Sequence, residues 1–194
     1  SPTNRLPFSY EADRESSPVH RDTNPPSKLT DGNCSSASAE SVQFDGDVLL
    51  TADLGELTDL AELRLLSFYR ENAPEREQNF KVAAIAIATS VDGENWTVQG
   101  VAERPEGTVA TDAVMTIRLE FMATARYVRI EVKKADDVDR ILLGELLILP
   151  QDEEVEPAPG EETPPLPAPR PLHVKRVLDD ALINAGVDFL FSTY

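Results

Sequence analysis

The sequence predicts a mainly β chain: an antiparallel β-sandwich over residues 1–150, with a helix-strand segment at the C-terminus. Three observations carry the sandwich. Ser90-Val-Asp-Gly-Glu-Asn-Trp96 holds Asp92-Gly93, a tight-turn pair between two apolar runs and a strong hairpin signal. Apolar residues recur with period two in short segments, among them Arg126-Tyr-Val-Arg-Ile-Glu-Val132 and Leu143-Gly-Glu-Leu-Leu-Ile-Leu149. No convincing helical stripe precedes residue 150, and short strands set between turn signals make a sandwich or barrel.

Residues 1–44 are rich in Pro, Ser, Asn and Asp and read as loop, ordered from about Phe8 because Phe8, Tyr10, Val19 and Leu29 offer something to bury. From Val48 the pattern alternates: Val48, Leu50, Ala52 and Leu54 against Leu49, Thr51 and Asp53, until Gly55 breaks the run. Leu63 to Tyr69 forms a second apolar run. Val82 to Thr89 is a third, with Ala84, Ala86 and Ala88 on one face and Ala83, Ile85 and Ile87 on the other, which predicts a central strand buried on both sides. Trp96 to Val101 returns as the hairpin partner. Met115, Ile117, Leu119 and Phe121 alternate with Thr116, Arg118 and Glu120 as a half-exposed strand, and Val128, Ile130 and Val132 do the same against Arg129 and Glu131. Leu146 and Ile148 alternate with Leu147 and Leu149 in the last strand.

Residues 150–171 contain eight prolines, and 151–170 carry six acids and one base, which reads as an acidic, semi-extended linker. The period then becomes helical. Val174, Val177, Leu178, Ala181, Leu182 and Ala185 form one stripe, with Pro171 in the first turn, Gly186 just past the end, and Val187 to Phe191 reading as a strand. A helix feeding a strand after a short turn is the grammar of an α/β domain. Both ends read as cut: the chain opens Ser1-Pro-Thr-Asn-Arg with neither Met nor a signal core, and stops as a strand finishes.

Composition excludes several functions. Acids outnumber bases 35 to 18, a net charge of −17, which argues against binding to nucleic acid or anionic membranes. No run of 18 apolar residues is present to span a membrane. Cys34 stands alone, so no internal disulfide forms, and no basic neighbour in sequence activates its thiol.

The stretches Lys28-Leu-Thr-Asp-Gly32, Leu54-Gly55, Ser90-Val-Asp-Gly-Glu-Asn-Trp96, Ala125-Arg-Tyr-Val-Arg-Ile130 and Gly144-Glu-Leu-Leu-Ile148 occur in this order and spacing. In them the chain, from about residue 8 to 149, resembles the discoidin or coagulation-factor type C superfamily, which includes many galactose-binding modules. The resemblance implies a discoidin-like jelly-roll sandwich that binds ligands with loops at one end. It also implies a structural Ca²⁺, held by the side chains of Asp31 and Glu145 and the backbone carbonyls of Lys28 and Asn33, hard oxygen ligands of the kind Ca²⁺ prefers. The alternative at these positions is that Asp31 caps a turn and Glu145 pairs with a nearby arginine. Many sugar-binding members carry an aromatic soon after the Asp-Gly loop, and residues 33–39 have none. A second resemblance covers 171–194 alone: Pro171-Leu-His-Val-Lys-Arg-Val-Leu-Asp-Asp-Ala-Leu, then Ala185-Gly-Val-Asp-Phe-Leu190, is similar to an internal segment of bacterial FAD-dependent oxidoreductases. The chain has no G-x-G-x-x-G turn, so any FAD would be bound by the parent protein outside this chain.

Candidate site residues are few. Tyr69-Arg70-Glu71-Asn72 ends a strand and opens a polar loop, where Arg70 and Asn72 can hold sugar hydroxyls and Tyr69 can stack; the bland alternative is a solvated loop. Trp96 reads as core before it reads as a sugar platform. His20 and His173 read as incidental, Asp136-Asp137 as a solvated turn, and two histidines with one cysteine exclude most zinc sites.

The expected arrangement is therefore a sandwich over 1–150, a linker over 151–170 and a flavin-domain fragment over 171–194. The first functional reading is a non-catalytic accessory module of a multidomain FAD-dependent oxidoreductase, partnered by the rest of that flavoprotein. The others are a carbohydrate-binding module of a secreted hydrolase or surface protein, and a structural insert for assembly. The resemblance to carbohydrate modules leans towards an extracytoplasmic location.

Overall fold

The computed structural model describes residues 5–106 and 113–151. The chain divides into two units, Ser1–Asp152 and Glu153–Tyr194, and the described residues all fall in the first. The linker expected over 151–170, beyond Gln151, and the helix-strand segment expected over 171–194 lie outside the described residues.

The first unit is an antiparallel β structure of seven strands: β1 (Ser9–Ala12), β2 (Val42–Phe44), β3 (Val48–Tyr69), β4 (Val82–Ser90), β5 (Thr97–Glu103), β6 (Ala113–Lys134) and β7 (Ile141–Pro150). Among the described residues, helix is limited to one turn, α1 (Ala37–Glu40), and three 3₁₀ turns at Pro18–His20, Lys28–Thr30 and Arg76–Gln78. No helix among the described residues is long and apolar enough to cross a membrane.

β3 and β6 set the architecture, and each joins two segments that the sequence reads as separate strands. The two segments on either side of Gly55 are one strand of 22 residues, and so are the two around Thr124. The register between them shifts between Asp53/Thr58 and Leu60/Glu62, an irregularity that bends the pair without ending its ladder. Gly55 sits there at φ +81, a conformation open to glycine because it lacks a Cβ. On one side of the bend, β1 pairs with residues 50–53 of β3, while β4 pairs with residues 127–134 of β6 and carries β5. On the other side, β7 pairs with residues 60–68 of β3 and carries β2. Strands that pass from one layer to the other at such a corner let two sheets close over one core.

That core is continuous. Leu50, Ile85, Ile87, Val128 and Ile130 from the first layer belong to one apolar cluster with Leu63, Leu65, Ile117, Leu146 and Ile148 from the second. Each truncation of such a residue to Ala would cost about 2–5 kcal/mol. The N-terminal region closes one side: Tyr10 and Leu29 are buried and Phe8 packs against the cluster. Val19, expected to do the same, is 70% exposed. β4 is also corrected. It lies one strand from the edge, and only the Ile85/Ile87 face is buried, because β5 and β6 leave its Ala84/Ala86/Ala88 face half open. Trp96 belongs to that open side. It lies outside the core, stacked on the Arg129 guanidinium at 3.9 Å from its ring centre.

Candidate functional site

The strand order sends most long connections to the same end. The β2–β3, β3–β4, β5–β6 and β6–β7 connections all leave from that end, as does the segment after β1, because β3, β4, β6 and β7 each start or finish there. Backbone bonds pin these segments down: Asp13 N–H donates to Leu49 O, Ser17 N–H to Gln43 O, Arg104 N–H to Ala83 O and Ala135 N–H to Lys81 O.

The β3–β4 loop is the best formed of them. Arg70 and Phe80 exchange two backbone bonds, of 2.9 and 3.0 Å, that close its base. Asn79 laces the inside, its Oδ1 accepting from Ala73 N–H at 2.9 Å and its Nδ2 donating to Ala73 O at 3.3 Å. Asn72 adopts φ 68, the left-handed region that Asn tolerates better than most residues, and so turns the chain sharply beyond Arg70. Arg70, Glu71, Asn72, Ala73 and Gln78 line a pocket of about 260 Å³. Guanidinium, amide and carboxylate groups here offer both donors and acceptors to a ligand rich in hydroxyls.

Beneath the pocket lies Phe80, buried and flanked by two guanidinium groups, Arg70 at 5.0 Å and Arg140 at 5.7 Å from its ring centre. Arg140 Nη1 donates to Gln43 Oε1 at 3.2 Å and Nη2 to Gln78 O at 3.3 Å, so it ties β2 to the pocket loop. Arg76 binds the facing loop through Asp139 Oδ1 and Asp136 O, at 2.8 and 2.9 Å. A second, wider cleft of about 520 Å³ opens at the same end between residues 12–16 and 21–26, over Phe44.

A lysine cross-links the two loops. Lys81, almost buried, donates to Asp137 Oδ2 at 2.6 Å and Glu71 Oε2 at 3.2 Å. Burial works to lower its pKa, but the two carboxylates overcome this and leave it raised. Lys81 holds Asp137 below the usual carboxylate range, and the Tyr69 hydroxyl and then Lys81 do the same for Glu71. Asp136-Asp137 is the exposed turn expected, and Asp137 also anchors Lys81. Carboxylates held low stabilise the fold above about pH 4, and that contribution is lost as pH falls through their depressed values. The raised lysine contributes below its ordinary range and loses its effect only at high pH. Lys81→Met should therefore cost about 1 kcal/mol between pH 5 and 9, discounted for the exposure of both acids, with the deficit vanishing towards pH 2. Urea unfolding of both proteins across pH checks this; a deficit that persists unchanged at pH 2 would show that lost packing, not charge, is responsible.

Of the sugar-contact residues expected from the sequence, Arg70 and Asn72 share the pocket and Tyr69 does not. Tyr69 is 4% exposed, with Arg104 over its ring at 5.4 Å and its hydroxyl bonded to Glu71, so it supports the loop from inside and presents no stacking face. Phe80, Gln78 and Arg140 escaped the sequence reading. Arg140 carried one signal, a base bordering the last apolar run. His20 lies close enough to Arg140 and Lys28 that their charges act on it; burial, then these cations, lower its pKa.

The residues expected around Ca²⁺ come together on another side. Asp31 caps its own turn, Oδ1 accepting from Asn33 N–H at 2.8 Å. Glu145, on β7 and 3% exposed, accepts from Gly32 N–H with both oxygens at 3.1 Å and from Arg5 Nη1 at 2.9 Å. Lys28 donates its backbone N–H to Asp22 and its ammonium to Ala39 O. Burial pushes the Glu145 carboxyl up to about 7 despite the Gly32 and Arg5 donors. Among the described residues, no three of His, Cys, Asp and Glu gather as a metal-binding group. Both Glu145 oxygens already face a donor, so a Ca²⁺ ligated there would compete with Gly32 N–H and Arg5 for the carboxylate.

Known proteins match this architecture. The structure is similar to the CBM32 module of AlyQ, solved with 4,5-unsaturated mannuronic acid, at a TM-score of 0.50 and 20% identity, over 75% of this chain and 97% of that one. It is similar also to the GH29 fucosidase of Ruminococcus gnavus solved with fucose, at a TM-score of 0.50 and 15% identity, over 75% of this chain but only 26% of the fucosidase. No curated protein matches the sequence. The family model of the F5/8 type C domain matches residues 12–146, from the end of β1 into β7, and the chain belongs to that family.

Proposed function

We propose that this chain is a carbohydrate-binding module that holds a glycan at its loop end, over Arg70, Asn72 and Gln78. The observation that carries the reading is the braced β3–β4 loop, which sets a guanidinium, two amide side chains and a carboxylate around one pocket on a fold that sugar-binding modules share. Lys81, Arg76 and Arg140 fix the pocket walls before any ligand arrives, which lowers the ordering cost of binding. Expected first as the accessory part of a flavoprotein, the module is better accounted for by the second reading, that of a carbohydrate binder. Its parent would be a secreted hydrolase or a surface protein.

Calorimetric titration of the full chain with galactose, fucose and mannuronate oligosaccharides tests this. Binding in the micromolar to millimolar range is expected for at least one of them, weakened at least about tenfold in Arg70→Ala, since a lost charged hydrogen bond is worth about 1.5–3 kcal/mol, and about threefold or more in Asn72→Ala, whose neutral bonds are worth about 0.5–1.5 kcal/mol. Absence of binding at millimolar sugar, or equal affinity in both variants, would discard the site.

The likeness of residues 171–194 to FAD-dependent oxidoreductases supports a second reading, in which the module serves a flavoenzyme. Flavin absorption in the full-length parent, purified without added cofactor, is the expected result there. A colourless parent that takes up no FAD removes it.

A further inference from the structure

We infer that Arg5 is the resident cation of the Asp31–Gly32 loop, standing at Glu145 where the family resemblance would put Ca²⁺, so that the module holds this loop without metal. Glu145 projects from a strand whose residues 141–148 are all buried. A carboxylate taken that far out of water requires donors and a compensating charge. The chain supplies both. Gly32 N–H lies 3.1 Å from each oxygen, and Arg5 Nη1 lies 2.9 Å from Oε1.

The guanidinium is placed in advance. Leu6 N–H donates to Ile148 O at 3.0 Å, which fixes the N-terminal arm along the free edge of β7, and Leu6 and Phe8 pack against the core. Arg5 is carried on that arm. Its guanidinium extends over Gly32, where a Cβ would stand 3.2 Å from Nη1 and 3.3 Å from Nη2. Gly32 also adopts φ +86, a backbone conformation that favours glycine.

A Ca²⁺ bound to Glu145 would need a carboxylate oxygen at about 2.3–2.6 Å with its lone pairs turned to the ion. Arg5 already holds Oε1 and Gly32 N–H faces both oxygens, so an ion drawn to this buried carboxylate would compete with Arg5 for it. Asp31 is turned to its own loop, its Oδ1 accepting from Asn33 N–H.

Thermal unfolding of the full chain, in about 1 mM Ca²⁺ or in excess EGTA, tests the assignment. The wild type should melt at the same temperature in both, within about 1 °C. Arg5→Ala should melt about 4–8 °C lower in EGTA, and Ca²⁺ should then raise its melting temperature. Arg5→Lys, which keeps the charge but loses the fork, should fall between the two in EGTA and stay indifferent to Ca²⁺. A wild-type protein raised roughly 5–10 °C by Ca²⁺, as a site of about 10 μM affinity would produce, overturns the inference. So does Arg5→Ala melting with the wild type in EGTA. Neither result bears on sugar binding, which is read separately at the loop end.

Discussion

Replacing Gly144 by Ala should destabilise the protein by about 3 kcal/mol, at the upper end of what overpacking a core costs. Gly144 lies in β7, and the argument is one of space. An added Cβ would stand 2.3 Å from Cys34 Sγ, 3.1 Å from Phe68 Cε2 and 3.4 Å from the Leu66 carbonyl oxygen. The carbonyl belongs to the paired strand and cannot retreat without breaking the β3–β7 ladder, and Phe68 is held in a small apolar cluster with Phe80 and Leu142. Only Cys34 has somewhere to go. The double variant Gly144→Ala with Cys34→Ala should therefore recover about half of the loss, because the sulfur clash disappears and the ring contact stays. Chemical denaturation of the four proteins of this cycle gives the coupling directly. A Gly144→Ala variant within about 0.5 kcal/mol of the wild type, or no coupling to position 34, would contradict the packing argument. The same contact accounts for the lone cysteine. Burial, reinforced by Glu145, pushes its thiol up to about 11, so it fills space under the Asp-Gly loop and is a poor nucleophile at neutral pH.

How far the sequence is legible depends on how local each interaction is. The Asp92-Gly93 turn is specified within six residues: Asp92 Oδ1 accepts from Glu94 N–H and Asn95 N–H, Ser90 Oγ accepts from Gly93 N–H, and β5 follows where the turn predicts it. The alternation in 115–121 and 128–132 likewise gives the correct buried face. Continuity through Gly55 and Thr124 was not legible, because a bulge disturbs the period-two pattern just as a strand end does while leaving hydrogen bonds on both sides. The face of β4 was misread for a related reason. Alanines are equally at home buried or half open, and Trp96 takes its place from Arg129, on a strand that no local pattern joins to it. At the candidate site, Arg70 and Asn72 lie within three residues of each other and read from sequence as one loop. Arg140, 70 residues away, and the Arg5–Glu145 pair, 140 residues apart, meet only through the sheet register.

Asp22→Ala is the second change with a large expected effect, about 3 kcal/mol, which lowers the melting temperature by roughly 6–12 °C. Asp22 is the hub of the N-terminal segment. Its Oδ1 accepts from the backbone N–H groups of Thr23, Ser27 and Lys28, at 2.8, 3.3 and 3.1 Å, and its Oδ2 accepts from the Tyr10 hydroxyl at 2.5 Å. That hydroxyl in turn accepts from Leu29 N–H at 3.1 Å, inside the core. Removing the carboxylate takes the acceptor from three backbone donors, two of them exposed to water and that of Lys28 half-buried, and leaves the buried phenol without one, and an unmade buried bond costs more than a made one contributes. Tyr10→Phe cuts the same network at one point and should lose only about 1–2 kcal/mol. The ordering of these losses separates a hub from a simple pair. If Asp22 served Tyr10 alone, the two variants would be equally unstable. If it organises the whole segment, Asp22→Ala is the worse, and amide exchange should speed up at Thr23, Ser27 and Lys28 as well as at Leu29. The outcome also bears on binding, because residues 21–26 wall the wider cleft while the β3–β4 loop is braced independently by Lys81 and Arg140. At a temperature where Asp22→Ala remains folded, sugar affinity should fall if the glycan extends into that cleft and stay unchanged if it sits over Arg70 alone.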